Sequence, residues 1–94
     1  MAKATWNGKV LAESEEFEIV EGNVYFPPGS VKWEFLNRGD RQYTCGWKGD
    51  ADYYDIAVEG EVSRNSAWSY PETKPAANNI KGYLAFERAV QVER

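Results

Sequence analysis

The chain has 94 residues, a net charge of −4 and an apolar fraction of 43%, which is typical of a folded domain with one small core. Its 11 basic residues are scattered, with no stripe to neutralise a phosphate backbone, so we expect no nucleic-acid partner. There is no histidine and one cysteine, which excludes Ser-His-Asp catalysis, an internal disulfide and a multi-cysteine zinc site.

No apolar run approaches the length of a membrane-spanning helix, and the first ten residues lack the apolar run of a signal peptide. We therefore expect a single domain over residues 1–94, located in the cytoplasm and without a membrane partner.

Hairpin signals are the strongest local pattern along the chain. Dipeptides whose glycine accepts a positive φ separate short alternating segments at Asn7-Gly8, Glu21-Gly22 and Glu59-Gly60. Each dipeptide predicts two antiparallel strands joined by a tight turn. The flanking strands are predicted at 5–6 and 9–13, 16–20 and 23–26, and 52–58 and 61–63. Further strands are predicted at 41–45, 67–70, 83–87 and 90–92.

Alternation predicts which side chains of two strands face the core. The predicted core residues are Phe17 and Ile19 in one strand and Tyr54, Ile56 and Val58 in the other. Their neighbours, Tyr53 among them, are predicted to point to the opposite face.

The segment 30–36 departs from the strand pattern. It follows two prolines, begins with the capping residue Ser30 and is followed by the stop signal Gly39. We predict a two-turn helix there, with Val31, Phe35 and Leu36 docked on a sheet edge. Residues 71–79 contain two prolines and predict a long surface loop.

Five strings resemble, in order and over nearly the whole chain, the bacterial family catalogued as domain of unknown function 427. They are ATWNGKVLAES, VEGNVYFPP, YTCGWKGDADYYDI, AWSYPETKPAA and IKGYLAF. The resemblance implies a β-tent-like fold, also seen in zinc-binding exchange-factor-like and methionine-sulfoxide-reductase-like domains. The expected fold class is mainly β, with two packed antiparallel sheets built from hairpins and one short helix near residues 30–36.

The chain departs from these relatives in three ways. It lacks the paired cysteines that hold zinc in many β-tent domains, and Cys45 in CGWKG does not reproduce the reductase motif. The family's nucleotidyltransferase-like label implies a Gly-Ser turn closely followed by Asp-x-Asp, but Gly29-Ser30 lies far from Asp50-Ala51-Asp52. We expect no metal and no cofactor. We also predict that Cys45 is buried and unreactive, because no histidine can act as its base.

Two segments are dense in aromatic and basic side chains. In the first, two glycines flank Trp47 and Lys48 and can bring an indole and a cation to a rim. In the second, Tyr70 precedes a proline and is biased towards extended geometry. Together they predict a pocket for a small anionic or flat heteroaromatic ligand. Its residues would be Trp47, Lys48, Tyr53, Trp68, Tyr70 and Lys74.

Other interpretations of the same residues stay open. Trp68 and Tyr53 can instead be ordinary core residues. An enzyme acting on nucleotides would place Asp50 and Asp52 on a metal and Lys48 on a phosphate. A protein-interaction domain would use the exposed aromatics as an interface, and the sequence leaves the oligomeric state open. We expect Trp47, Trp68 and Lys48 to line one cavity if the chain binds a small ligand.

Overall fold

The computed structural model describes all residues 1–94 as nine β-strands and short 3₁₀ turns. The strands are β1 (Ala2–Trp6), β2 (Lys9–Ser14), β3 (Glu18–Val20), β4 (Asn23–Tyr25), β5 (Leu36–Cys45), β6 (Gly49–Val58), β7 (Glu61–Ser69), β8 (Leu84–Phe86) and β9 (Gln91–Glu93). All strand pairs are antiparallel, which confirms the mainly β fold class. No helix in the structure has the length and apolar character needed to cross a membrane.

The strands form a three-stranded sheet (β2-β1-β9), a two-stranded sheet (β3-β4) and a four-stranded sheet (β5-β6-β7-β8). Two backbone hydrogen bonds between Phe26 and Leu84, of 2.8 and 2.9 Å, attach the β3-β4 hairpin to β8. The hairpin therefore lies beside the edge of the four-stranded sheet.

Both faces of the four-stranded sheet are covered by apolar clusters. Neighbouring residues on a strand point to opposite faces, so β7 supplies Ala67 to the first cluster and Trp68 to the second. The first cluster also holds buried residues of β1 and β2 and thus joins the three- and four-stranded sheets. The second cluster packs Tyr25 and Ile80 against the other face.

The three predicted hairpin turns are confirmed. The φ angles are 50° and 78° at Asn7-Gly8, 54° and 80° at Glu21-Gly22, and 51° and 84° at Glu59-Gly60. Positive φ at both central positions matches the twist of the flanking strands, which is why such turns favour hairpins. Several strand boundaries differ from the prediction. β5 begins at Leu36 and β6 at Gly49, both earlier than predicted. The segments predicted at 61–63 and 67–70 belong to one strand, β7, which is irregular around Asn65 (φ 50°).

The predicted core faces are partly right. Ile56 and Val58 are buried, and Tyr54 is half-buried against the first cluster. Tyr53, predicted on the opposite face, is also buried, because the second cluster covers that face. Ile19 was predicted in the core but is 45% exposed, since β3 is an edge strand of the two-stranded sheet and nothing covers it. Alternation shows which residues share a face, but it does not show which face is covered.

The segment 30–36 forms no two-turn helix. It contains parts of two separate 3₁₀ turns, Pro28–Ser30 and Trp33–Phe35. Between them, the amide of Lys32 donates to the carbonyl of Leu11 at 2.8 Å. The edge of β2 thus binds the backbone that would otherwise continue the helix.

The docking predicted for this segment is nevertheless observed. Val31 is buried, and Phe35 and Leu36 are half-buried against the first cluster. The predicted loop at 71–79 contains no strand, but its second half forms 3₁₀ turns over Pro75–Ile80 that bury Ala77. The 3₁₀ turns therefore cover part of the second cluster with Ala77 and Ile80.

Gly49 offers a direct test of how the loop around Trp47 and Lys48 is held. Its φ is 122°, and a Cβ there would lie 2.8 Å from the carbonyl oxygen of Glu72. We expect Gly49→Ala to lower the free energy of unfolding by about 1–3 kcal/mol, through backbone strain and this clash. Urea unfolding measures the change.

The matched control is Gly46→Ala in the same loop, where an added Cβ meets no atom within 4 Å. We expect it to change stability by less than about 0.5 kcal/mol. Equal effects of the two substitutions would show that the close approach of Gly49 to Glu72 does not constrain the loop.

Candidate functional site

A cavity of about 200 Å³ opens on the face of the four-stranded sheet that carries the second cluster. Its walls are mainly aromatic, and two cations and one carboxylate complete them. The lining residues are Tyr25, Tyr43, Tyr53, Tyr70, Trp68, Arg41, Lys48, Glu21 and Asn23. We call this space the tyrosine cavity.

The aromatic wall is built from three separate parts of the chain. Trp68 of β7 donates its indole Nε1–H to the hydroxyl of Tyr25 in β4, at 3.1 Å. The two rings meet edge to face with centroids 6.2 Å apart, and the Tyr53 ring of β6 lies 6.1 Å from Trp68 on the same face. This packing fixes the rings, because each is held by a neighbour from another strand.

Lys48 brings a shielded positive charge to the cavity. The residue is only 5% exposed, and its ammonium donates a hydrogen bond to the carboxylate of Glu21. The ammonium also lies 5.2 Å from the centre of the Trp47 ring and 5.5 Å from that of Tyr70, within cation–π range. Trp47 Nε1–H donates to the second oxygen of Glu21 at 3.3 Å.

The pair is charged at neutral pH. The hydrogen bond from Lys48, followed by that from Trp47, holds the pKa of Glu21 below its ordinary value of 4.5. Desolvation acts to lower the pKa of Lys48, but the hydrogen bond to Glu21 and the neighbouring Tyr25 and Cys45 outweigh it, so that this pKa is raised above 10.5. Both shifts favour the ion pair.

The cavity also offers neutral hydroxyl groups. Desolvation by burial is the largest cause that raises the pKa of Tyr25, Tyr53 and Tyr70 above 10, so these phenols keep their protons. The hydroxyls of Tyr53 and Tyr70 have no hydrogen-bond partner in the protein, and no sealed side-chain oxygen in the structure lacks one. Both hydroxyls must therefore be reachable from the cavity that they line.

Four of the six predicted site residues line the tyrosine cavity: Lys48, Tyr53, Trp68 and Tyr70. Trp47 does not line it, so only two of the three residues expected to line one cavity, Trp68 and Lys48, do so. Trp47 is 41% exposed and contacts the lining residues Lys48 and Glu21. Three of the predicted residues, Trp68, Tyr53 and Tyr70, are core residues as well, with 9%, 7% and 2% exposure. The binding and core interpretations therefore describe the same side chains.

Lys74 is not brought to the cavity. Its ammonium donates to the carbonyl of Gly46 at 2.6 Å, and its backbone amide donates to the carbonyl of Lys48 at 3.1 Å. The residue thus ties the loop that carries Trp47 and Lys48 to the segment after β7.

Sequence reasoning missed five of the lining residues: Glu21, Asn23, Tyr25, Arg41 and Tyr43. The guanidinium of Arg41 lies 4.7 Å from the centre of the Tyr53 ring. Its alternation with Tyr43 along β5 was a usable signal, since both line the cavity. Nothing in the sequence indicated that Glu21 lines a cavity, because its position in the Glu21-Gly22 turn already accounts for the residue.

A second cleft, of about 410 Å³, holds the aspartates considered for nucleotide chemistry. Asp50 accepts a hydrogen bond from Thr44 at 2.8 Å, and Asp52 pairs with Arg38 at 3.2 Å. Lys48 does not line this cleft. The structure contains no group of three or more His, Cys, Asp or Glu residues placed to hold a metal ion.

Cys45 is buried, as predicted. Its low reactivity stays a prediction. The residue belongs to the second cluster, among the aromatic residues that form the cavity wall.

The fold and the cavity define a small, mainly β protein with an aromatic pocket. The family described as Domain of unknown function (DUF427), NTP_transf_9, matches residues 1–94, and the chain belongs to this family. This confirms the resemblance drawn from the sequence. A search of curated proteins found no match.

Alkaline pH should reveal the buried tyrosines. A phenol whose pKa is raised on folding contributes stability that is fully present below pH 10 and lost as pH rises towards the folded-state pKa. We therefore expect the free energy of unfolding to fall above pH 10, and to fall less steeply in Tyr70→Phe. Urea unfolding at a series of pH values measures both slopes; parallel slopes would show that folding does not desolvate the Tyr70 phenol.

Proposed function

We propose that the protein is a binding module for a small molecule with a flat polar ring, held in the tyrosine cavity. One observation carries the proposal: aromatic rings with free hydroxyls surround a space next to a lysine shielded from solvent. Concave, mainly aromatic sites with a few convergent polar groups are the usual form of small-molecule sites.

The size of the cavity limits the ligand. At about 30 Å³ per water molecule in the liquid, 200 Å³ corresponds to roughly seven waters. A ligand with about that number of non-hydrogen atoms, or the ring of a larger ligand, would fill it. A single aromatic or heteroaromatic ring with one or two polar substituents has the right dimensions.

The chemistry of the walls supports a polar ring. The guanidinium of Arg41 lies over the Tyr53 ring, 4.7 Å from its centre, and this planar group can stack on a flat partner. The hydroxyls of Tyr53 and Tyr70 can donate to ring nitrogens or carbonyl oxygens. Arg41 and Lys48 outnumber the single carboxylate of the lining, Glu21, so a negatively charged substituent is favoured over a positive one.

The alternative functions have less support. Asp50 and Asp52 line a different cleft from Lys48, so the three residues assigned to nucleotide chemistry do not share a site. A protein interface finds some support in Tyr43 and Trp47, which are 48% and 41% exposed near the mouth of the cavity. The cytoplasmic location stays a prediction from the sequence.

Adjacent tyrosines provide a matched test of the proposed site. A thermal-shift screen of small ring compounds, with and without Mg²⁺, identifies a ligand that raises the unfolding midpoint. Calorimetric titration then compares Tyr53→Phe with Tyr54→Phe, which each remove one hydroxyl. We expect Tyr53→Phe to weaken binding by about 0.5–1.5 kcal/mol, through the loss of one hydrogen bond. Tyr54, packed near Trp33 on the other face, should be neutral.

Equal effects of Tyr53→Phe and Tyr54→Phe would place the ligand outside the tyrosine cavity. A ligand that acts only with Mg²⁺ would favour the enzyme alternative. Concentration-dependent dimerisation, with no compound raising the midpoint, would favour the interface.

A further inference from the structure

The two members of the Lys48–Glu21 ion pair are held very differently. The backbone of Lys48 is fixed by the hydrogen bond from Lys74 and by the close approach of Gly49 to Glu72. Its side chain is 6% exposed, whereas that of Glu21 is 53% exposed. The Lys48 ammonium is therefore a fixed part of the cavity wall, whereas the Glu21 carboxylate reaches it from the protein surface.

Glu21 lies at an exposed hairpin turn. It is the first residue of the two-residue turn between β3 and β4, which are three residues long each. The hairpin itself is anchored, because Tyr25 of β4 is fully buried and its hydroxyl accepts a hydrogen bond from Trp68. The exposed side chain of Glu21 can nevertheless rotate away from Lys48 while the aromatic wall stays in place.

Lys48 cannot be left without a partner at the same low cost. A buried ammonium needs a counter-ion or hydrogen-bond acceptors to compensate its lost hydration. The ammonium of Lys48 and the indole N–H of Trp47 both donate to one carboxylate, and together they form a two-donor cradle for a planar anion. Glu21 shows which chemical group this cradle accepts.

We propose that the ligand of the tyrosine cavity is a small aromatic carboxylate, whose carboxylate replaces that of Glu21 on Lys48 and Trp47. Glu21 then acts as an internal competitor that occupies the cradle of the empty protein. This inference rests on the proposed function, because it assigns the ligand class of the same cavity.

The charges of the cavity support an incoming anion. When the Glu21 side chain rotates away, Lys48 and Arg41 remain in the lining without a carboxylate. The ring of an aromatic carboxylate would then face Trp68 and Tyr53 while its carboxylate restores the charge balance. Once the ligand carboxylate is bound, both cradle donors have an acceptor again.

Benzoate and its neutral analogue benzamide provide the test. Titrations are followed by the indole N–H resonances of Trp47 and Trp68 in ¹H–¹⁵N NMR spectra of the full chain. Four proteins are compared: the wild type, Glu21→Gln, Lys48→Met and the control Glu18→Gln. Glu18→Gln makes the same charge change in the same hairpin, but Glu18 contacts Asn79 rather than Lys48.

We expect benzoate to bind Glu21→Gln about tenfold more tightly than the wild type. This is the change expected if the Glu21 carboxylate occupies the cradle in about nine-tenths of the wild-type molecules, because only the remaining tenth can bind benzoate. Glu18→Gln should match the wild type. Benzamide should bind Glu21→Gln about tenfold more weakly than benzoate. Lys48→Met should lose benzoate binding; should it fail to fold, the benzoate–benzamide comparison in Glu21→Gln decides the question alone.

Equal benzoate affinities of Glu21→Gln and the wild type would overturn the inference. So would equal affinities for benzoate and benzamide, tighter binding of inorganic phosphate than of benzoate, or no benzoate binding by any variant. Benzamide that shifts Trp68 without any effect of Glu21→Gln would leave the proposed function standing and remove only the carboxylate assignment. If no ring compound of the screen binds, the proposed function fails as well.

Discussion

The charge of Lys48 is removed from water, and the cavity around it depends on how that charge is balanced. Its partner, Glu21, reaches it from a hairpin turn 27 residues earlier in the chain. Because burial of an ammonium is unfavourable without such a partner, the ion pair couples the β3-β4 hairpin to the loop between β5 and β6. Trp47 and Tyr70 complete the surroundings of the ammonium, so that aromatic packing and charge pairing stabilise the same small volume.

The aromatic wall shows how one sheet can serve both stability and binding. Each face of the four-stranded sheet carries an apolar cluster, and the second cluster contains four of the five aromatic rings that line the cavity. Substituting these rings will therefore change folding and binding together, which is why single hydroxyl deletions are more informative than alanine substitutions. Ligands that bind such a wall also stabilise the fold, because binding to the native state alone shifts the unfolding equilibrium.

Local features of the fold were predictable from the sequence, and long-range features were not. Asn7-Gly8 and the two similar dipeptides specify their hairpins through backbone geometry that depends on two residues alone. The helix expected at 30–36 fails because Leu11, distant in sequence, binds the amide of Lys32. For the same reason the site was found in part: Trp68 and Lys48 stand out by composition, whereas Glu21 and Lys74 take their roles from partners that only the folded chain brings near.

The most direct test of this account is the pKa of the Glu21 carboxyl group, measured by ¹³C NMR in the wild type and in Lys48→Met. The account predicts a value below 4.5 in the wild type, because Lys48 stabilises the ionised carboxylate. In Lys48→Met the value should rise towards that of an ordinary glutamate. The same Glu21 pKa in both proteins would show that the two side chains do not interact in solution. That result would contradict the ion pair on which the description of the cavity depends.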